Sequence, residues 1–185
     1  ILDDAGTVTS SPYAPWIGGL IIYAAMTKSA QFPFHFWLPD AMVALTPVSA
    51  YLHAATLVKA GIYVLMRFSE PFTDFWWWTT VLVAVGLTTT VIGAVFALQQ
   101  HDLKSLLAYS TVSQLGWIVA LIGVGTNEAL GVAGLHAFSH ALFKATLFML
   151  VGVIDKEAGS RDIRELSGLY RVMPCTAVLT ALAAM

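Results

Sequence analysis

Residues 75–98 hold no charged side chain, and neither do residues 106–124. Either run is long enough to cross the hydrocarbon core of a bilayer as a helix, which takes about 20 apolar residues. Within lipid, backbone polar groups have to be satisfied inside the protein, and a helix does this along its whole length. The rest of the chain agrees. Its 185 residues are 58% hydrophobic and only 11% charged, with a mean hydropathy of +0.76, far more apolar than a soluble domain. That length holds five or six spans and no separate soluble domain. The expected fold is all-α: a single transmembrane helix bundle over residues 1–185, with five full spans, the first discontinuous, and a partial sixth. The net charge of −2, with basic residues scattered along the chain, gives no nucleic-acid surface. One cysteine, Cys175, excludes an internal disulfide and reads as apolar filler. The chain opens at Ile1 without a basic leader and stops at Met185 inside a short apolar run, so a central piece of a longer polypeptide is expected.

The first span carries the most chemistry. Its segment Thr27 to Asp40, TKSAQFPFHFWLPD, puts Lys28, two prolines and a histidine where an uninterrupted apolar helix would run. Pro33 has no N–H to give the carbonyl of Ser29 and its ring crowds that carbonyl, so a break just after Lys28 is expected. An ionisable side chain beside a broken helix is how transporters build ion sites. The alternative for Lys28 is to snorkel to the headgroups.

The remaining spans follow in order. A polar loop, Ile1 to Pro12, leads in. Thr46-Pro47 opens a second span to about Phe68, with Thr46 as its cap, containing His53 and Lys59. Phe75 to Leu98 is an uncharged scaffold span whose Trp76, Trp77 and Trp78 suit a membrane interface. His101, Asp102 and Lys104 mark a polar turn before Leu106 to Val124, where Tyr109, Ser110, Thr111, Ser113 and Gln114 suit helix contacts. A fifth span, from Glu128 to about Ile154, holds His136, His140 and Lys144. The charged segment Asp155 to Arg171 lies along the interface, and a truncated span starts near Pro174. If the spans alternate, one face collects Lys104, Lys156, Arg161, Arg164 and Arg171 and the other only Arg67. The positive-inside bias then makes the Lys104 turn and the Asp155 to Arg171 segment cytoplasmic.

His136, His140 and Lys144 stand at i, i+4 and i+8 and climb one helix face in steps of about 6 Å. Water or a hydroxyl bridges such steps, and imidazole, with a reference pKa of about 6.5, both takes and gives a proton near neutrality. A metal site is the rival reading. The zinc protease motif His-Glu-x-x-His needs a glutamate where Ala137 stands, and no cysteine or carboxylate completes a ligand set. Buried histidines that merely bond neighbouring helices are the other rival. His53 and Lys59, six apart, fall on different faces of a regular helix, with Thr56 between them. No aspartate or glutamate lies within the spans among these basic residues, so either some of them are neutral or carboxylates arrive from helices elsewhere. Covalent catalysis and a bound cofactor have no motif to support them.

Three blocks in order, TKSAQFPFHFWLPDAMVALTPVSAYLHAATLVKAGIYVL, HDLKSLLAYSTVSQLGW and LHAFSHALFKATLFMLVG, resemble the antiporter-like membrane subunits shared by proton-pumping NADH:quinone oxidoreductase and the multisubunit Mrp-type Na⁺/H⁺ antiporters. The resemblance extends from Trp16 onward. FPFHFWLPDAM and DKEAGSRDIRELSGL are most similar to the large A subunit of the Mrp type. It implies a cell-membrane bundle built from inverted repeats, working as a secondary transporter of H⁺ and Na⁺ among other membrane subunits, with no cofactor and no enzymatic role of its own. It also implies a proton relay of Lys28, His53, Lys59, His136, His140 and Lys144. The glutamate that pairs with Lys28 is then expected upstream of Ile1. The alternatives are a pumping subunit of NADH:quinone oxidoreductase and a scaffold that transports nothing. The energetic expectation is that Lys28, His140 and Lys144 converge on one hydrated layer, since each charge turned toward lipid costs about 2.5–3.5 kcal/mol.

Overall fold

The computed structural model describes residues 9–184, apart from the side chain of Ala55. The expected N-terminal loop therefore lies mostly outside the described residues. Every regular element within them is helical: α1 (Ala14–Lys28), α2 (Trp37–Asp40), a 3₁₀ turn (Ala41–Val43), α3 (Thr46–Ala50), a π-helical turn (Tyr51–Thr56), α4 (Leu57–Phe72), α5 (Trp76–Leu98), α6 (Leu103–Val124), α7 (Asn127–Ala158), α8 (Leu169–Val172) and α9 (Pro174–Ala184). Four helical stretches are long and apolar enough to cross a membrane: Thr46–Phe72, Trp76–Leu98, Leu103–Val124 and Asn127–Ala158. The first segment is different. With 15 residues, α1 rises only about 22 Å before it breaks.

Helix ends are set by local chemistry. Asp102 caps α6 by accepting from the Ser105 N–H at 2.9 Å, and Gly125 closes that helix at φ 76. Thr126 caps α7 by accepting from Ala129 N–H at 3.2 Å, with Glu128 in its first turn and Gly159 at its end at φ 72. Thr46 differs from the expectation: it is the first residue of α3, makes no cap bond, and follows an extended Leu45. The second span also runs on to Phe72, with Pro71 in its last turn, where the missing N–H and the crowding of the Arg67 carbonyl interrupt only the end of the helix.

The core gathers around α6, the central helix. Its tightest neighbour is α5, across a seam of small residues. A Cβ on Gly86 would meet the Ala120 backbone nitrogen at 2.5 Å, and one on Gly116 would meet the Gly86 carbonyl at 2.7 Å, so only glycine lets these backbones approach. Ser113 adds a hydroxyl bond to the Thr90 carbonyl at 2.9 Å. At one end of the bundle Trp78 is completely buried and stacks on Phe72 with ring centroids 4.9 Å apart. Only Trp76 of the expected tryptophan belt is widely exposed; the two-residue step from Trp76 to Trp78 turns the latter to the opposite side of the helix, into the core.

The loop after α7 folds back on the start of α6. Leu103 N–H donates to Arg161 O at 3.1 Å and Ile163 N–H to His101 O at 2.9 Å. Arg161 bridges Asp102 at 3.1 Å and Asp155 at 3.9 Å.

A candidate proton path through the bundle

The break after α1 is built from within. Ala30 takes φ 50, and Gln31 N–H reaches back to the Met26 carbonyl at 3.0 Å, which together form a Schellman ending. The freed carbonyls find other donors. Trp37 Nε1 donates to Thr27 O at 3.0 Å, and Gln31 Nε2 to Ser29 O at 3.0 Å. Across the bundle Phe32 N–H donates to Thr89 Oγ1 on α5 at 3.0 Å. The break thus starts before Pro33 makes itself felt, in a left-handed alanine, and its backbone is satisfied as a low-dielectric setting requires.

Lys28 ends α1 on the exposed side. It makes no hydrogen bond or ion pair among the described residues, and it lines an open cleft of about 340 Å³ with Thr27, Trp37 and Leu57. Trp37 connects that cleft inward: its ring lies 6.3 Å from that of His53, and His53 lies 6.2 Å from Phe148 of α7. His53 is wholly buried, and neither ring nitrogen has a partner among the described residues. It sits within the π-helical turn, where Thr56 Oγ1 donates to Tyr51 O at 3.2 Å. Such turns accumulate at functional positions because the extra residue re-aims side chains.

Lys59, on the next helical stretch, reaches α7 by donating to Ala137 O at 2.6 Å. That carbonyl follows His136 directly in the chain. His136 Nε2 is 2.7 Å from Gln114 Oε1 of α6. One turn on, His140 lies 6.5 Å away between ring centroids, fully buried, with both nitrogens lacking a partner among the described residues. One turn further, Lys144 is 3% exposed. Its ammonium donates to Ser110 Oγ and, at 3.4 Å, to Leu107 O. Leu107 O also accepts from the Ser110 and Thr111 hydroxyls, at 3.0 and 2.8 Å. A line of titratable groups therefore runs Lys59, His136, His140, Lys144, with α6 hydroxyl, amide and carbonyl groups along its side.

Lys104 is a further buried cation, on α6, although its neighbours in the sequence place it in a polar turn. It belongs to the first turn of α6 and is 3% exposed. Its ammonium donates to Ala44 O at 2.7 Å and Met42 O at 3.3 Å, at the non-helical joint before α3. Beside it opens a cleft of about 730 Å³ lined by Pro39, Asp40, Met42, Val43, Asp102, Ser105 and Arg161. His35, the histidine of the interrupted segment, is a second buried group outside the expected relay; it is 3% exposed, with its ring 4.4 Å from Phe36 and 6.2 Å from Phe96.

Of the six expected positions, the structure brings Lys59, His136, His140 and Lys144 together and puts His53 one aromatic layer away, with Lys28 on the outer side of Trp37. No group of three or more His, Cys, Asp or Glu able to hold a metal occurs among the described residues. Ion pairs among the described residues are confined to the loop after α7 and its contacts with Asp102 and Asp155. In that loop Arg164 bonds both oxygens of Asp162 and holds its carboxyl well below the usual range, at about 2.

Residues 2–185 match the family described as NADH:quinone oxidoreductase/Mrp antiporter, TM. The chain belongs to that family. It is 51% identical over 185 residues to the A/B subunit of a probable K(+)/H(+) antiporter from Rhizobium meliloti, covering 99% of this chain and 18% of that protein. It is 55% identical over 168 residues to the A subunit of the Na(+)/H(+) antiporter from Bacillus subtilis, covering 85% and 21%. Among solved structures, the Mrp complex from Dietzia sp. DQ12-45-1b matches with TM-score 0.90 and 58% identity over 96% of this chain and 20% of that one. The membrane-bound sulfane sulfur reductase, an archaeal respiratory membrane complex, matches with TM-score 0.82 and 31% identity over 90% and 35%. The chain thus spans about a fifth of the length of the curated relatives it matches, and it is a membrane-embedded member of that family, with four helical stretches long and apolar enough to cross a bilayer among the described residues.

Proposed function

We propose that this chain is the proton-conducting part of a cation/proton antiporter, working with other membrane subunits to exchange H⁺ for a monovalent cation, Na⁺ in the first instance. Lys59, His136, His140 and Lys144 pass protons along α7, Lys104 links them to the cleft beside Asp102, and Lys28 with His53 supplies them through the Trp37 layer. The observation that carries this reading is His140. A fully buried imidazole whose two nitrogens have no partner among the described residues, set one turn from His136 and one turn from Lys144, is costly as mere packing. As a relay it needs both nitrogens free to take and to give. Sodium-site residues are not assigned, because no cluster of oxygen ligands stands within the described spans.

The Lys104 end and the loop at residues 159–168 lie on the cytoplasmic side in this reading. With Lys104 buried, the bias rests on Lys156, Arg161, Arg164 and Arg171 against Arg67. A second reading follows from the likeness to an archaeal respiratory membrane complex: the same path driven by redox energy. The test is His140→Ala in the complete complex, assayed in everted vesicles for cation-driven collapse of a pH gradient. Transport should fall to background with the complex assembled. A scaffold transports normally with this change, and coupling of the flux to NADH-dependent quinone reduction selects the redox reading.

A further inference from the structure

The cleft of about 730 Å³ between the joint after α2 and the start of α6 has Arg161, from the loop after α7, as one of its walls. Lys104 lies behind the lining: its ammonium donates to the carbonyl of Met42, a lining residue, at 3.3 Å. The two carboxylates of the cleft are placed unequally. Asp40 makes no ion pair among the described residues, whereas Asp102 is covered by the Arg161 guanidinium at 3.1 Å. We propose that Arg161 is an electrostatic gate on this cleft: on Asp102 it cancels the negative charge that draws protons and other monovalent cations to the mouth, and a swing to Asp155 restores that charge.

The backbone of Arg161 is fixed and its side chain is not. Its carbonyl accepts from Leu103 N–H at 3.1 Å and Ile163 N–H donates to His101 O at 2.9 Å, so the residue is stapled to the start of α6 whichever way the guanidinium points. Two carboxylates stand within its reach, Asp102 of α6 at 3.1 Å and Asp155 of α7 at 3.9 Å. The side chains of Arg161, Asp102 and Asp155 are 36%, 35% and 38% exposed, and ion pairs as wet as these hold little net free energy. A move from one carboxylate to the other therefore costs little. Asp102 is not orphaned by it, because it still accepts from Ser105 N–H at 2.9 Å. The other charges nearby leave the exchange to these three groups: Asp162 and Arg164 are closed on each other, and Lys104 is engaged by the Met42 and Ala44 carbonyls. His101 is exposed beside Asp102. The buried Lys104 repels an arriving cation, and only a carboxylate free of Arg161 offsets that repulsion at the mouth.

This inference rests on the proton path and is tested in the same complete complex, with antiport measured across pH in everted vesicles. Arg161→Gln leaves Asp102 free. On the alkaline limb, where proton capture fails, the pH of half-maximal transport should rise by about half a unit, below the roughly 1–3 units that an unscreened neighbouring charge produces, because solvent screens these side chains. Asp102→Asn removes the carboxylate yet still caps α6, since asparagine caps as well as aspartate; the limb should move down by a similar amount. The double variant should return to the parent, and Arg161→Lys should match the parent throughout. Higher ionic strength, set with choline chloride at constant Na⁺, should shrink both shifts. A side chain that merely braces the loop lowers the rate or the yield of complex and does not move the limb in opposite directions. Unmoved profiles, two shifts of the same sign, or shifts that resist salt overturn the proposal, and so does failure of both single variants to assemble. His140→Ala in the same series separates the two ideas. If it transports normally, the path itself is wrong; if it abolishes transport while Arg161→Gln and Asp102→Asn keep the parental profile, only the gate is wrong.

Discussion

Replacing Lys144 by Met tests the proposed transport role separately from folding. The ammonium is 3% exposed in the middle of α7, where insertion scales charge a lysine about 2.5–3.5 kcal/mol. Against that stand its bond to Ser110 and a longer one, 3.4 Å, to the Leu107 carbonyl, of which the first is worth about 1.5–3 kcal/mol and the second much less. The lysine therefore contributes about zero, or costs up to about 2 kcal/mol. Methionine fills the same unbranched channel. Ser110 is not orphaned, because its hydroxyl still donates to Leu107 O at 3.0 Å. The expected result is a complex whose melting temperature is unchanged or raised by a few degrees, at about 2–4 °C per kcal/mol, and whose antiport is lost. Thermal unfolding followed by tryptophan fluorescence and gradient collapse in everted vesicles measure the two properties on one preparation. Melting lowered by more than about 5 °C refutes the energetic reasoning, since at about 2–4 °C per kcal/mol Lys144 is then a structural tie. Normal transport refutes the path.

Ala30 is buried at φ 50, a conformation that costs an alanine about 1–2 kcal/mol; Ala30→Gly should stabilise the protein by about 0.5–1 kcal/mol after the entropy of glycine is subtracted, read as a raised melting temperature. The loop after α7 should respond to acid. The Asp162 carboxyl is held from 3.8 down to about 2, chiefly by Arg164, so its contribution is present above pH ~4 and is lost as pH falls through about 2. Hydrogen exchange at the Arg164 amide, which donates to Asp162 Oδ1 at 2.9 Å, should rise over that window relative to an unstructured peptide. Asp162→Asn should remove the acid dependence.

The helix bundle was legible because lipid leaves the backbone so few options, whereas the caps that set the ends of α6 and α7, Asp102, Thr126, Gly125 and Gly159, were not read from the sequence. The histidine ladder was legible for the same reason: on a regular helix, spacing of four residues fixes the face. What stayed hidden depended on irregular backbone or on distant partners. Pro33 announced a break in the first span, but its onset is the left-handed Ala30 and the Schellman bond from Gln31, and an alanine gives no sign of that geometry. The extra residue in the turn at Tyr51–Thr56 leaves no mark on apolar periodicity, so the expected angular separation of His53 and Lys59 holds for a helix that is not regular there. Lys104 looked like a loop charge because His101 and Asp102 stand beside it. Its burial comes from Met42 and Ala44, some 60 residues away, which no local pattern encodes.

The interior cations share one feature that accounts for the missing carboxylates. Each of the three bonded lysines takes a backbone carbonyl: Lys104 those of Met42 and Ala44, Lys59 that of Ala137, and Lys144 that of Leu107. Two of the carbonyls belong to the joint between α2 and α3, where no helix ladder consumes them, and the others lie on α6 and α7, the Leu107 carbonyl being shared with the Ser110 and Thr111 hydroxyls. A carbonyl dipole offsets part of the desolvation of an ammonium, but it cannot accept the proton and it does not hold the cation as a carboxylate does. A carboxylate at the same place would pin the proton. On this argument the lack of acidic residues between Glu128 and Asp155 of α7 suits the proposed proton path, with Ser110 and the broken backbone as neutral groups beside it.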